Sequence, residues 1–176
     1  YNNIPSTVLR GTAEATVTPR QQFERTISDT MLAQGLSEVV TYSFISPKYY
    51  DKIRLPKESP LRRSVTILNP LGEDTSIMRT TTLPSMMEVL TRNYNNRNPQ
   101  AGLFEIATEY HPVEGQELPD ETANLTIGMY GGDCDFFTLK GMIENLLHVL
   151  NIPDWEVTAE IGEPTFHPGR CAVITC

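Results

Sequence analysis

The sequence predicts a mixed α+β domain built on a largely antiparallel sheet. Three observations carry that expectation. Short runs rich in β-branched and aromatic residues recur along the chain, loops rather than helices separate most of them, and three longer stretches keep an apolar period near that of a helix. With 176 residues the chain has the size of one typical domain and buries roughly two-thirds of its unfolded surface. No internal repeat and no low-complexity tract interrupts the pattern.

Residues 1–17 carry proline, threonine and little periodicity, and read as a linker from a preceding domain, with residues 18–176 as the folded body. Thr18-Pro19-Arg20-Gln21 combines an N-cap hydroxyl, proline in the first turn and Gln at the third helical position, the pattern of a capping box. Phe23, Ile27 and Met31 follow at helical spacing, and Gly35 supplies a left-handed stop, so a helix is expected over Pro19 to Gln34. Glu38 to Ile45 alternates Val40, Tyr42 and Phe44 against Val39, Thr41 and Ser43, which predicts a strand ended by Pro47.

Lys48 to Arg63 mixes charge and proline, as a short helical turn and a surface loop would. Ser64 to Leu68 reads as a strand stopped by Asn69-Pro70. Pro84 opens a helix in which Leu83, Met86, Met87, Leu90 and Tyr94 form one apolar stripe, and asparagines dissolve its end before Pro99. Strands are expected at Gly102 to Tyr110 and Asn124 to Tyr130, joined by an acidic loop around Glu114 to Glu121. A helix from Asp135 to Leu150, a β segment from Trp155 to Glu160 and a last strand near Arg170 complete the reading.

Hydrophobic residues make up 39% and charged residues 20% of the chain, and no apolar run approaches the roughly 18 residues that span a bilayer, which argues against a membrane protein. The chain opens on Tyr1-Asn2-Asn3-Ile4-Pro5 without an initiator Met or a basic, apolar leader, and ends inside a strand-like stretch; it reads as a piece of a longer protein. Cys134, Cys171 and Cys176 show neither an even count nor CxxC spacing, so a reducing cytoplasm fits better than a disulfide framework.

The net charge of −8 is unevenly placed: residues 1–100 hold 12 Lys and Arg against 9 Asp and Glu, and residues 101–176 hold 2 against 13. Any nucleic-acid contact would therefore use the first hundred residues, with Arg62, Arg63, Arg92 and Arg97 as candidates beside Arg20 and Arg25; solvated surface charge is the plainer reading of each.

Searches for an enzyme's apparatus return little. GxxxxGK, GxGxxG, HExxH and GxSxG are absent, and Gly131-Gly132 precedes acidic residues that would repel phosphate, as a turn rather than a cradle. His111, His148 and His167 lie at no metal-ligand spacing. Phe166-His167-Pro168-Gly169-Arg170 predicts a type II turn that brings His167 and Arg170 together, either as a small polar pocket or as a satisfied tight turn. Arg79, beside Met78 and before three threonines, is expected to be partly buried and to need a carboxylate. Glu105, flanked by Phe104 and Ile106 on the opposite strand face, is its natural partner, as a structural ion pair or a ligand-binding one. Arg79, Glu105, His167 and Arg170 thus form the candidate residual pocket.

Many short blocks, in order, resemble the β subunit of bacterial phenylalanyl-tRNA synthetase. They are Tyr1 to Pro5, Thr18-Pro19-Arg20, Glu38-Val39-Val40-Thr41-Tyr42-Ser43-Phe44, Asn69-Pro70-Leu71, Met78-Arg79-Thr80 with Leu83-Pro84, Leu103-Phe104-Glu105-Ile106, Asp135-Phe136-Phe137 with Leu139-Lys140-Gly141, and Phe166 to Arg170. The resemblance implies a class II aminoacyl-tRNA synthetase-like module, an antiparallel sheet flanked by helices, related to the catalytic module of the α subunit but inactive.

It also implies that Pro19 to Gln34 and Glu38 to Ile45 correspond to the first class II motif, an interface element, so that Phe23, Ile27, Met31, Val40, Tyr42 and Phe44 are candidate subunit contacts, although the stripe of Phe23, Ile27 and Met31 would also serve an ordinary core. An active enzyme's second motif ends its first strand with an Arg; here Phe104 to His111 carries Glu109 and no Arg, and the glycine-rich third motif is missing. Without such cations adenylate formation lacks electrostatic support, and no catalysis, metal or cofactor is expected of this chain. The implied partners are two α subunits and a second β subunit, which use ATP and magnesium, together with tRNA(Phe). Self-association of the isolated chain is a further expectation.

Overall fold

The computed structural model describes residues 2–8, 11 and 15–176. Residues 1, 9, 10 and 12–14 lie outside the described residues, and with them Tyr1 of the first sequence block and part of the expected linker over residues 1–17. The described residues before Pro19 form no helix or strand.

Helix α1 spans Pro19–Ala33 and starts as its sequence dictates. The Thr18 hydroxyl accepts from the Gln21 N–H at 3.2 Å, and the Gln21 side-chain oxygen accepts from the Thr18 N–H at 3.0 Å, closing the capping box. Gly35, with φ of +86°, turns the chain back. Helix α3 spans Leu83–Asn95 and α4 spans Phe136–Val149, the latter capped by the Asp135 carboxylate on the Thr138 N–H at 2.8 Å. A single turn, α2, covers Tyr49–Lys52.

The central sheet has three strands: β1 (Ser37–Glu38), β4 (Ala101–His111) and β5 (Asp120–Tyr130), in the order β1-β4-β5. β4 and β5 form an antiparallel hairpin from Ala101 opposite Tyr130 to His111 opposite Asp120, and β1 runs parallel to β4. Two small antiparallel pairs accompany it: β2 (Phe44–Ile45) with β3 (Ile77–Met78), and β6 (Glu156–Ala159) with β7 (Ala172–Thr175). No helix of the described residues is long and apolar enough to cross a membrane.

Two hydrophobic clusters form. Ile27, Met31, Leu36, Phe104 and Leu146 bury the contact of α1 and α4 with the sheet. Ile45, Tyr50, Ile53, Leu55 and Ile77 gather under the short elements. α3 lies on the sheet because Gly128 has no side chain: a Cβ there would stand 2.8 Å from Met86 Cγ and 2.7 Å from Leu90 Cδ1. Gly131 and Gly132, both at positive φ, make the expected turn after β5.

The structure corrects several expected elements. The single strand over Glu38 to Ile45 is two pieces in two sheets, because the Thr41 N–H between them is taken by a side chain (Glu105) rather than by a ladder. Ser64 to Leu68 contributes only a bridge from Thr66 to Ile77, the Asn69-Pro70 corner leaving it too short to pair further. Asp120 and Glu121, expected in a loop, open β5. Along α3 the apolar stripe divides: Met86 is buried, whereas Met87 and Tyr94 face out, Tyr94 resting edge-on against Tyr130 at 5.8 Å.

Candidate functional site

Strand alternation puts Glu105 and Glu109 on one face of β4, and both carboxylates are buried. A bare buried carboxylate costs several kcal/mol, roughly, so each needs donors. They find different ones.

Glu105 stands 3.7 Å from the Arg79 guanidinium, and both side chains are only 3% exposed. Its Oε1 accepts from the Thr41 N–H at 2.8 Å, and the Thr41 hydroxyl lies 2.9 Å from Oε2. Arg79 completes the cluster by donating to the Thr41 hydroxyl at 2.7 Å, to the Thr108 carbonyl at 3.0 Å and to the Tyr42 carbonyl at 3.4 Å. Its backbone N–H donates to the Ser43 carbonyl and its carbonyl accepts from Tyr110. The predicted partners meet, and what they clamp is the segment from Thr41 to Ser43.

Glu109 has no arginine. Its Oε1 accepts from the Thr82 N–H at 2.8 Å and the Thr82 hydroxyl at 3.2 Å, its Oε2 from the Asn124 amide, and His111 Nε2 lies 3.7 Å away. The Thr82 hydroxyl also contacts that of Thr126. Sequence reasoning singled out Glu109 only for the Arg it replaces. Its donors come from α3's start and from β5, and no local pattern links them. On this face Arg79 is engaged by Glu105, and Glu109 adds negative charge. Among the described residues no group of three His, Cys, Asp or Glu is arranged to hold a metal.

His167 and Arg170 lie elsewhere, in the connection from β6 to β7, so the four candidates do not form one pocket. The Arg170 N–H donates to the His167 carbonyl at 2.9 Å and closes the turn, but Gly169 is not at positive φ, so the turn is not type II. His167 Nδ1 accepts from the Gly169 N–H at 3.1 Å. Arg170 lines a different hollow, with Asp135, whose carboxyl is held below its ordinary range first by the Thr138 N–H and then by the Thr138 hydroxyl, with Arg170 a lesser contributor.

The four candidate RNA-contacting arginines also divide. Arg62 is occupied: its Nε donates to the Pro56 carbonyl at 2.9 Å, and it meets Asp51 at 2.7 Å and the Leu55 carbonyl. Arg63, Arg92 and Arg97 reach solvent, Arg92 with Glu88 at 3.5 Å.

The candidate subunit contacts separate by depth. Ile27 and Met31 are buried in this chain's own core against Phe104 and Leu146, so the expected apolar stripe of α1 faces inward and only Phe23, 50% exposed, is presented. Val40 at 91% and Tyr42 at 80% stand out from the clamped segment, and Phe44 at 42% continues the row. With a spacing of two, the three point to the side opposite Thr41. An adjoining hollow of about 690 Å³ runs from this row to Val89 and Arg92 of α3.

Comparison with known proteins matches residues 4–176 to the family described as "Phenylalanyl tRNA synthetase beta chain CLM domain". The phenylalanine–tRNA ligase β subunit of Clostridium acetobutylicum is 48% identical over 99% of this chain, and that of Clostridium tetani 47% over 98%. The chain spans 22% of the length of each of these relatives. Among solved structures, pyrrolysyl-tRNA synthetase of Desulfitobacterium hafniense superposes with a TM-score of 0.63 at 20% identity, over 81% of this chain and 49% of that one; this likeness shows the class II fold.

Proposed function

Since the chain belongs to the phenylalanyl-tRNA synthetase β-chain family, we propose that it is a non-catalytic assembly module of phenylalanine–tRNA ligase. In this reading it holds the α subunit, in a cytoplasmic complex of two α and two β subunits, while the α subunit uses ATP and magnesium to join phenylalanine to tRNA(Phe). Residues 18–176 are the module and residues 1–17 its connection to the preceding domain.

The observation that carries the reading is the pairing of an outward apolar row with an inward polar clamp. Val40, Tyr42 and Phe44 stand in solvent on a backbone that Arg79, Glu105 and Thr41 hold in place. Apolar side chains on a preorganised segment bind with less ordering cost than the same side chains on a loose loop. Phe23 extends the surface, and with it uncovered the isolated chain self-associates. The Glu109 cluster supports the absence of catalysis, since its carboxylate opposes the charge that develops at a transferring phosphorus.

Co-expression with the α subunit and sizing by light scattering test this. Val40→Asp with Tyr42→Asp is expected to abolish the α–β peak while circular dichroism is unchanged; survival of the peak removes the row from the interface. RNA contact is a second reading, favoured by the exposure of Arg63, Arg92 and Arg97. Reversing all three in the holoenzyme should flatten the salt dependence of tRNA binding by about three units of slope if they meet phosphates.

A further inference from the structure

A groove of about 760 Å³ lies between α2, α3 and the turn before β7, apart from both buried carboxylates; it adjoins the hollow beside the Val40 to Phe44 row, with which it shares Tyr49, Lys52, Glu88 and Arg92, but the row itself does not line it. Its floor is apolar. Ile53 and Leu83 lie beneath, while Met87 of α3 is 48% exposed and Phe166 is 50% exposed at the opposite wall. The Thr165 hydroxyl donates to the Ile53 carbonyl at 2.7 Å and pins that wall to α2, so the groove is built by tertiary contact between distant segments.

Its rim is mostly cationic. Lys52, Arg54 and Arg92 line it; Glu88 meets Arg92 at 3.5 Å, which among the described residues leaves Lys52 and Arg54 as the unopposed cations in a chain whose net charge is −8. A local excess of cations on an acidic protein selects an acidic occupant. The floor decides its class. RNA would need open aromatic faces for its bases, but Lys52 already sits over the Tyr49 ring at 4.3 Å from the centroid, which leaves Phe166 as the open phenyl face. Aliphatic floor and thioether suit an apolar side chain better than a base.

We infer that this groove is a docking site for an acidic polypeptide segment that carries an apolar anchor, the anchor seating on Met87 and Phe166 and its flanking carboxylates meeting Lys52, Arg54 and Arg92. The chemistry required is illustrated by the chain's own β4–β5 connection, where Leu118, 75% exposed, stands in sequence between Glu114 and Glu117 of the loop and Asp120 and Glu121 at the start of β5. A peptide of residues 112–121 is therefore a defined probe. The inference does not depend on the assembly reading, whose row of contacts it does not use.

The test uses the two-subunit ligase assembled with its complete β subunit. Zero-length carbodiimide coupling followed by mass spectrometry should join the Lys52 Nζ to an Asp or Glu of a segment outside residues 1–176 that has a large apolar residue close by in sequence. If the groove is open in the assembly, Lys52 should couple to the added 112–121 peptide instead. Arg54→Glu and Met87→Asp, both at exposed positions, should each cut the coupled yield about tenfold, and a peptide with Leu118→Ser should couple no better than background. Lys52 that couples neither to an assembly segment nor to the peptide overturns the proposal. So does ultraviolet cross-linking of thiouridine-substituted RNA to Phe166 that Arg54→Glu abolishes, since it assigns the groove to RNA. The α–β peak is read separately through Val40→Asp with Tyr42→Asp, so failure of one reading leaves the other standing.

Discussion

The two hydrophobic clusters bury the same number of core residues by different means. Around Phe104, long regular elements supply the contacts: α1, α4 and the β4–β5 hairpin hide Ile27, Met31, Leu36 and Leu146 with their own periodicity. Around Tyr50 the elements are two to four residues long, and polar side chains tie them together. The Tyr50 hydroxyl bonds Ser64 at 2.7 Å and Thr80 at 2.9 Å, Arg62 holds the carbonyls of Leu55 and Pro56, and Arg79 with Glu105 holds Thr41. The first region also leaves Phe23, Leu32 and Phe137 partly in solvent on its helices, whereas the second carries Val40, Tyr42, Leu68 and Leu71 almost wholly in solvent on short, irregular backbone. Side-chain anchoring lets a backbone without ladder partners hold still, and a still backbone can present apolar groups outward.

Breaking the polar region should cost as much as breaking the apolar one, but locally. Arg79→Ala leaves the Glu105 carboxylate buried and unpaired, and a loss of about 3–5 kcal/mol is expected in chemical denaturation. Native-state hydrogen exchange should show the amides of residues 39–45 opening first. Phe104→Ala removes the side chain at the centre of the first cluster, also at a cost of about 3–5 kcal/mol, with protection falling across α1, β4 and α4 together. Equal loss of protection everywhere in both variants would erase the distinction between the two regions.

Smaller effects sharpen it. Thr18→Ala opens the capping box of α1 and should cost about 1 kcal/mol, read as a lowered denaturation midpoint. Tyr42→Asp should change stability by no more than about 0.5 kcal/mol, because its side chain contributes to no core. The Asp135 carboxyl, held below its ordinary range by the Thr138 donors, adds stability that is complete above the ordinary carboxylate range and is lost as pH falls through the lowered value. Asp135→Asn keeps a cap without a charge and should remove that part of the acid dependence in a series of melting curves.

Legibility followed the same division. α1, with its capping box and Gly35, β4, and α4 from its Asp135 cap could be read residue by residue, because caps and apolar periods act within a few positions. Glu38 to Ile45 reads as one strand because its alternation is real: Val40, Tyr42 and Phe44 are all exposed while Val39, Thr41 and Ser43 are half-buried. The fracture at Thr41 came from Glu105, which is 64 residues away. The inward turn of Ile27 and Met31, the separation of His167 and Arg170 from Arg79, and the donors around Glu109 are likewise long-range facts.

The sequence by itself determined the α+β class, the helix starts and stops, the Arg79 to Glu105 partnership and the absence of phosphate-binding and metal-binding signatures, since residue type, spacing and near neighbours suffice for these. Tertiary structure alone decided which apolar residues face solvent, that a polar clamp divides the first β segment between two sheets, and that Lys52, Arg54, Arg92 and Phe166 share one groove. Burial and pairing between distant segments depend on which surfaces meet when the chain closes, and no local period encodes that meeting.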